Sequence, residues 1–351
     1  MRDYRSPLAA GLTPYVGGEQ PQGRSFIKLN TNESPYPPAP GVRDAVNAQI
    51  DRLNRYPTVT SEPVQEAAAR AFGLRPAQVH VGNGSDEILA LCFAAYFAGK
   101  TLCAPDLTYS FYPTFAQLFQ VDYREIPLRA DFTVDVEAFL AAPGGIILAN
   151  PNAPSSVALP ISAIRRLCQA AYARGSVIIV DEAYAAFSTE DALPLLAEFD
   201  NLVITRTLSK AHGLAGLRVG LALGQEPLIQ ALADVKDSFN TYPVDRLACA
   251  AAVAALDDTA YLKKTVGQVV ATRERTRDAL LALGMEVLPS RTNFLLVRHP
   301  RVSGEEMQRL LRERDIIVRR FSNPRIRDYL RISIGTDADM DAVLSVYRST
   351  R

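Results

Sequence analysis

The sequence predicts an α/β fold, with a large domain built on a mainly parallel sheet covered by helices and a smaller α+β domain after it. Three observations predict it. Between residues 80 and 223, short apolar runs recur without polar alternation, as strands buried on both faces require. Helical patterns separate these runs, which is the rhythm of parallel strands joined by crossovers. Beyond about residue 245 the rhythm changes to one long helical pattern followed by short strands and helices. The chain has 351 residues, 48% of them hydrophobic, enough for a core of that extent.

The elements follow in order. Residues 1–40 are rich in Pro and Gly and read as an extended arm. Within it, Leu29 to Pro38 cannot be helical, because closely spaced prolines force their predecessors into extended conformations. Helices are expected over 41–53 and 61–72. A short strand at Val81 runs into a Gly-rich turn, with a helix opening at Ser85. Apolar runs at Thr101–Ala104, Ile146–Ala149, Val177–Val180, Leu202–Thr205 and Val219–Leu223 are the sheet strands. Helices are expected near 85–98, 111–119, 162–174 and 226–237. The large domain spans 41–245 and the smaller one 246–351. In the latter a helix covers 259–283, stopped by Gly284 as a C-cap. Strands near 285–288, 293–298, 316–319 and 329–334 and helices near 303–314 and 337–349 complete it.

The 38 basic and 38 acidic residues cancel, so no global field favours nucleic acid or an anionic membrane. No terminal stretch reads as a signal peptide and no window approaches a membrane span. Four scattered cysteines without a C-x-x-C pair, and three separated histidines, argue against disulfides and against a metal site. A reduced, cytoplasmic setting fits this usage.

The chemistry centres on Lys210, in the segment Thr207-Leu208-Ser209-Lys210-Ala211-His212-Gly213. A nucleophilic lysine needs desolvation or neighbouring positive charge to be partly neutral. Thr207, Ser209 and Arg218 offer hydroxyls and a planar fork suited to a phosphate. Read alone, this segment also fits a surface loop. Asp181 ends the run Val177–Val180, at the carboxyl edge where open α/β sheets bind ligands. A carboxylate buried there needs a cation, and the pyridinium nitrogen of pyridoxal phosphate is one. Tyr184 follows, with a hydroxyl for the ring oxygen. Asp181 alone also fits a turn or helix cap. The turn Gly82-Asn83-Gly84-Ser85-Asp86-Glu87 opens a helix whose free N–H groups suit a phosphate, or are simply N-capped. Tyr109, past another strand, offers a ring for stacking, or belongs to the core. All four features follow a strand, so in a parallel sheet they meet at one edge.

Together these residues resemble the fold-type I pyridoxal-phosphate aminotransferases of the aspartate-aminotransferase superfamily, and within it the histidinol-phosphate aminotransferases. The matching segments are Leu29–Pro38, Arg55–Pro57, Gly82–Glu87, Asn150–Ser156, Asp181–Tyr184, Thr207–Arg218 and Leu330–Gly335. The resemblance implies that Lys210 carries the cofactor as a Schiff base, that Asp181 pairs with the ring nitrogen, and that Tyr184 bonds the ring oxygen. It implies Gly84, Ser85, Asp86, Thr207, Ser209 and Arg218 around the phosphate, and Tyr109 against the ring. Tyr56 is implied to reach the phosphate in a neighbouring subunit, so the expected assembly is a homodimer with shared sites. Tyr15, Asn32, Arg320 and Arg331 are implied near substrate, the arginines holding a phosphate end. The family usually reads Asn-Pro-Asn-Asn-Pro-Thr-Gly where this chain reads Asn150-Pro151-Asn152-Ala153-Pro154-Ser155-Ser156. Ala153 therefore replaces a partner of the ring oxygen, and either Asn152 substitutes for it or Tyr184 acts alone. The last glycine of the turn is also missing. His212 stands where an aromatic is frequent and is expected to pack near the site.

The implied reaction transfers an amino group from histidinol phosphate to 2-oxoglutarate. Related chemistries also fit the residues: an aromatic amino-acid aminotransferase, or a lyase that decarboxylates a phosphorylated threonine. A cofactor-binding regulator without turnover is disfavoured, because no basic helical segment precedes the fold.

Overall fold

The computed structural model describes residues 4–21 and 25–350; residues 1–3 and 22–24 of the expected arm lie outside it. Twelve strands form two sheets among these residues. The strands are β1 (Ile27–Leu29), β2 (Val79–Asn83), β3 (Thr101–Pro105), β4 (Asp122–Ile126), β5 (Gly145–Ala149) and β6 (Ile178–Asp181). They continue with β7 (Leu202–Thr207), β8 (Val219–Gly224), β9 (Glu286–Val287), β10 (Phe294–Arg298), β11 (Ile316–Arg320) and β12 (Tyr329–Ser333).

The larger sheet has the order β2-β8-β7-β6-β5-β3-β4. Strands β5, β6 and β8 are buried along their whole length, which is why their sequences show no alternation. Each fully buried Ile, Val or Leu here contributes about 1.5–3 kcal/mol. Neighbours from β7 to β4 are parallel, whereas β8 runs antiparallel to both β7 and β2. Strand β2 thus points the same way as the parallel set. The reversal of β8 has a direct consequence for the site. The ends of β2, β3, β6 and β7 and the start of β8 all lie along one sheet edge.

The smaller sheet, β1-β11-β12-β10-β9, is antiparallel except for β1 on β11. The arm therefore packs within this same chain, adding its residues 27–29 beside β11. The long helix Thr259–Ala282 starts at Asp258, whose side chain accepts from Tyr261 N (3.0 Å). It ends as expected at Gly284, whose φ of +83° suits the residue beyond a C-cap. There Gly284 N donates to Leu281 O and Met285 N to Leu280 O.

Three departures from the expectation matter most for the fold. Strand β4 was not foreseen, because its edge position leaves Asp122, Arg124 and Glu125 exposed and no apolar run marks it. The helix expected over 41–53 stops at Asn47, and a separate 3₁₀ turn covers Ile50–Arg52. The third is the helix Arg246–Asp257, capped by Asp245, which accepts from Leu247 N and Ala248 N. Although the smaller domain was expected to begin at 246, the buried face of this helix, Ala248 to Leu256, joins Val42, Val64 and Ala67 in the core of the larger sheet.

Candidate active site

A cavity opens at the carboxyl edge of the larger sheet, lined by Ser85, Asp86, Tyr109, Asp181, Tyr184 and Lys210, with Thr207, Ser209 and Arg218 closing one side. Lys210 follows β7, and its Nζ donates to the arm carbonyl of Thr31 (2.9 Å). Burial, with Arg331 close by, lowers its pKa from 10.5 to about 8. A lysine in this state keeps a sizeable neutral fraction near neutral pH, as a nucleophilic amine needs.

Asp181, at the end of β6, is buried. One carboxylate oxygen accepts from Tyr112 Oη (2.9 Å) and the other from Thr205 Oγ1 (3.0 Å) and Ala183 N (3.3 Å). Burial raises its pKa above the ordinary carboxylate range, although these hydrogen bonds pull the other way. The donors it meets among the described residues are all neutral. A buried carboxylate with only neutral donors is suited to a cationic ligand atom. Tyr112 and Thr205 were not foreseen. Tyr112 is fully buried on a helix after Tyr109, and nothing local in the sequence distinguishes it from a core tyrosine.

The opposite wall fits an anion. The helix Gly84–Cys92 opens at the cavity, with Gly84 at φ +79°. Arg218 precedes β8, so the reversed strand delivers its guanidinium to the same edge. Arg218 donates to Asp86 (2.9 Å) and to Ser209 Oγ (3.3 Å). A Cβ on Gly84 would lie 2.6 Å from Arg218 Nη2, so only glycine admits this approach. Gly220 of β8 plays the same part from below, since its Cβ would lie 2.4 Å from the Gly84–Ser85 peptide. Tyr109 donates from Oη to Asp86 (2.8 Å). Thr207 Oγ1 accepts from Ser209 N (3.1 Å), fixing the turn that holds Ser209.

A second cavity shares Tyr109, Ala153 and Tyr184 with the first and continues to Tyr15, Arg319 and Arg331. Arg331 of β12 is opposite Arg319 of β11 in the antiparallel register, so both guanidinium groups occupy one face. Arg331 donates to Asn30 O (2.9 Å) and lies 5.4 Å from the ring centres of Phe294 and Phe321. Its Nε is buried with no partner among the described residues. Tyr15 stacks on Phe111 with ring centres 4.4 Å apart.

Two expected residues stand elsewhere. Arg320 neighbours Arg319 and so points to the other face of β11, where it donates to Arg327 O (3.1 Å) and pairs with Glu305. Arg319, which carries no distinguishing signal in the sequence, shares the face of Arg331 instead. Asn152 does not line either cavity. Its amide donates to Leu107 O (3.0 Å) and Ser155 Oγ (2.9 Å) and accepts from Thr108 Oγ1 (2.8 Å), so the loop consumes the whole side chain. Ala153 faces the cavity instead, and Asn32 reaches Tyr184 Oη from the arm (2.9 Å). The missing glycine of that loop does not abolish its turn. Ser156 adopts φ +67° and is held there by Ser156 N to Asn152 O (2.8 Å) and Ser156 Oγ to Pro289 O (3.0 Å). His212 is not among the cavity-lining residues, and burial lowers its pKa to about 4, which keeps it neutral. Tyr56 is 77% exposed and stacked on Tyr242, and it lines neither cavity of its own chain.

A family model described as aminotransferase class I and II matches residues 24–346. The chain belongs to that family. The aminotransferase is 48% identical over 349 residues to histidinol-phosphate aminotransferase 2 of Thiobacillus denitrificans, covering 99% of this chain and 97% of the relative. It is 47% identical to the histidinol-phosphate aminotransferase of Chromohalobacter salexigens, covering 98% of each. Its fold matches the crystal structure of histidinol-phosphate aminotransferase from Sinorhizobium meliloti in complex with pyridoxal-5'-phosphate. That match has a TM-score of 0.86 and 28% identity, and covers 100% of this chain and 99% of the other.

Proposed function

We propose that the enzyme uses pyridoxal phosphate to transfer the amino group of histidinol phosphate to 2-oxoglutarate, a step of histidine biosynthesis. The observation that carries this reading is the join between the two cavities: a lysine with lowered pKa opens onto a pocket closed by two arginines on one face of a sheet. The first cavity fits the cofactor on three sides. Asp181 would hold the ring nitrogen, while Ser85, Ser209 and Arg218 would hold the phosphate, and Tyr109 offers its ring for stacking. When bound, the cofactor supplies an electron sink for the carbon that loses its proton.

The chain's own groups do the rest. The neutral Lys210 amine takes the proton from the amine-bearing carbon and returns it on the other side of the transfer. Asp181 stays ionised once a cation faces it, because the cation offsets the cost of its burial. Tyr112 and Thr205 hold its two oxygens in place. Arg319 and Arg331 take the phosphate of the amine and, in the second half-reaction, the distal carboxylate of the oxo acid. Planar forks bind both anions. Tyr15 lines this pocket.

The relatives' names support histidinol phosphate as the donor. The direct test compares kcat/KM for histidinol phosphate and for phenylalanine, each with 2-oxoglutarate. Faster turnover of phenylalanine would replace the proposed donor. Carbon dioxide release from a phosphorylated amino acid without an oxo acid would point to a lyase.

We also propose a homodimer. Tyr56, Tyr242, Phe239 and Leu53 are large, exposed side chains on one chain, and Tyr56 has no role in its own cavities. A second copy that covers them brings Tyr56 to the neighbouring phosphate site. Tyr56→Ala is expected to release cofactor from the assembled protein, as equilibrium dialysis reads. Unchanged cofactor retention would remove Tyr56 from the shared site. No helix among the described residues is long and apolar enough to cross a membrane. A cytoplasmic location agrees with four free, buried cysteines.

A further inference from the structure

Asn32 and Ser333 form a hydrogen-bonded chain that ends on the Tyr184 hydroxyl. The side of the cavity beside Tyr184 has lost one hydrogen-bonding group, because Ala153 presents only a methyl there. Tyr184 Oη is then the polar atom on that wall. Its environment fixes which way its proton points. Asn32 Nδ2 donates to Tyr184 Oη (2.9 Å), so this oxygen already acts as an acceptor.

The Asn32 amide cannot be turned over without loss. Its Oδ1 accepts from Ser333 Oγ (3.1 Å), and Ser333 Oγ in turn accepts from Asn32 N (2.9 Å). Flipping the amide would leave the buried Ser333 hydroxyl proton without its acceptor. Asn293 Nδ2 holds the Asn32 carbonyl from a third direction (3.0 Å). Asn32 itself adopts φ +56°, a conformation that asparagine tolerates better than most residues. The ring of Tyr184 is seated edge-on against Phe294, 5.2 Å between centres. With its oxygen occupied as acceptor and its ring held, the Tyr184 proton has one open direction, into the cavity.

We propose that Ser333 and Asn32 form a positioning relay that turns the Tyr184 hydroxyl into an obligate donor toward the ring oxygen of the bound cofactor, offsetting the donor that Ala153 lacks. The proposal rests on the cofactor reading above. It makes Asn32 and Ser333 positioning residues that act through Tyr184, and it separates Asn32 from a purely substrate-facing role.

The test reads the cofactor's visible absorption band against pH, with no substrate present. A donor to the ring oxygen stabilises the form with more negative charge there, so losing it raises the midpoint of the titration. Tyr184→Phe is expected to raise the midpoint by about one pH unit, the size of one hydrogen bond to a charged oxygen. Asn32→Gly, which keeps the left-handed backbone open, is expected to raise it by part of that amount, and Ser333→Ala by less. The double variant Asn32→Gly with Tyr184→Phe is expected to match Tyr184→Phe alone, because the relay has nothing left to direct. Additive shifts, or a midpoint unmoved by both Asn32→Gly and Ser333→Ala, would overturn the relay while leaving the cofactor reading intact. Absence of any Lys210-dependent band in the unaltered protein would overturn both.

Discussion

Replacing Gly84 by alanine perturbs the anion wall without replacing any side chain that would hold the ligand. Gly84 sits at φ +79°, where an L side chain costs about 1–2 kcal/mol. The new Cβ would lie 2.6 Å from Arg218 Nη2 and 3.1 Å from its Cζ, well inside contact distance. The guanidinium is the movable partner, so it swings away and gives up Asp86 at 2.9 Å and Ser209 at 3.3 Å. Losing one charge-assisted contact to a bound phosphate is worth about 1.5–3 kcal/mol, or about 10- to 100-fold in affinity. The assay is titration of cofactor-free protein with pyridoxal phosphate, followed by absorbance. Gly216→Ala is the control: its Cβ meets nothing within 4 Å, although it is two residues from Arg218. It is expected to bind cofactor normally. A Gly84→Ala protein that binds cofactor as tightly as the parent, or a Gly216→Ala protein equally weakened, would refute the packing argument.

Arg319→Ala is expected to raise KM for a phosphorylated amine by about 10- to 100-fold, the loss of one charge-assisted fork, whereas Arg320→Ala changes it less than about threefold. Steady-state kinetics on both variants checks the strand register directly. The rate at which cofactor-free protein combines with an aldehyde is expected to rise with pH and level off above about 8, since Lys210 loses its proton there. A plateau reached only near pH 10 would mean an ordinary lysine. Burial lowers the pKa of His80 from 6.5 to about 4, so the unfolded chain binds its proton first as pH falls. Its contribution to stability is present above pH 6.5 and is lost as pH falls toward 4, by about 1.4 kcal/mol per pH unit at most. His80→Leu is expected to flatten that part of the stability curve, measured by denaturant unfolding at successive pH values.

Much of this site was legible because of how a parallel sheet works. Asp181, Tyr109 and Lys210 each follow an apolar run, and such runs bring their carboxyl ends together. What an apolar run lacks is a direction. Val219–Leu223 reads the same whichever way it runs, so the antiparallel setting of β8 and the delivery of Arg218 by its start were not readable. The choice between Arg319 and Arg320 depends on which residue opposes Arg331, a property of strand pairing that neighbouring letters do not carry. Asn152 and Asn32 pose the same problem in loops. Both are asparagines at plausible places, and only the three-dimensional path shows that Leu107, Thr108 and Ser155 use up the former. The helix Arg246–Asp257 did carry a local signal, Asp245 ahead of an alanine-rich stretch. Its partners, however, are the helices Gly41–Asn47 and Glu62–Phe72, nearly two hundred positions away.

The most direct measurement of the central claim is a spectral titration of the cofactor-loaded protein with histidinol phosphate. The account predicts that the visible band disappears as the donor is added, that 2-oxoglutarate restores it, and that Lys210→Ala abolishes the response. A band that histidinol phosphate leaves unchanged at saturating concentration would contradict the proposed reaction, and a full response in Lys210→Ala would contradict the role of the lysine on which the site is built.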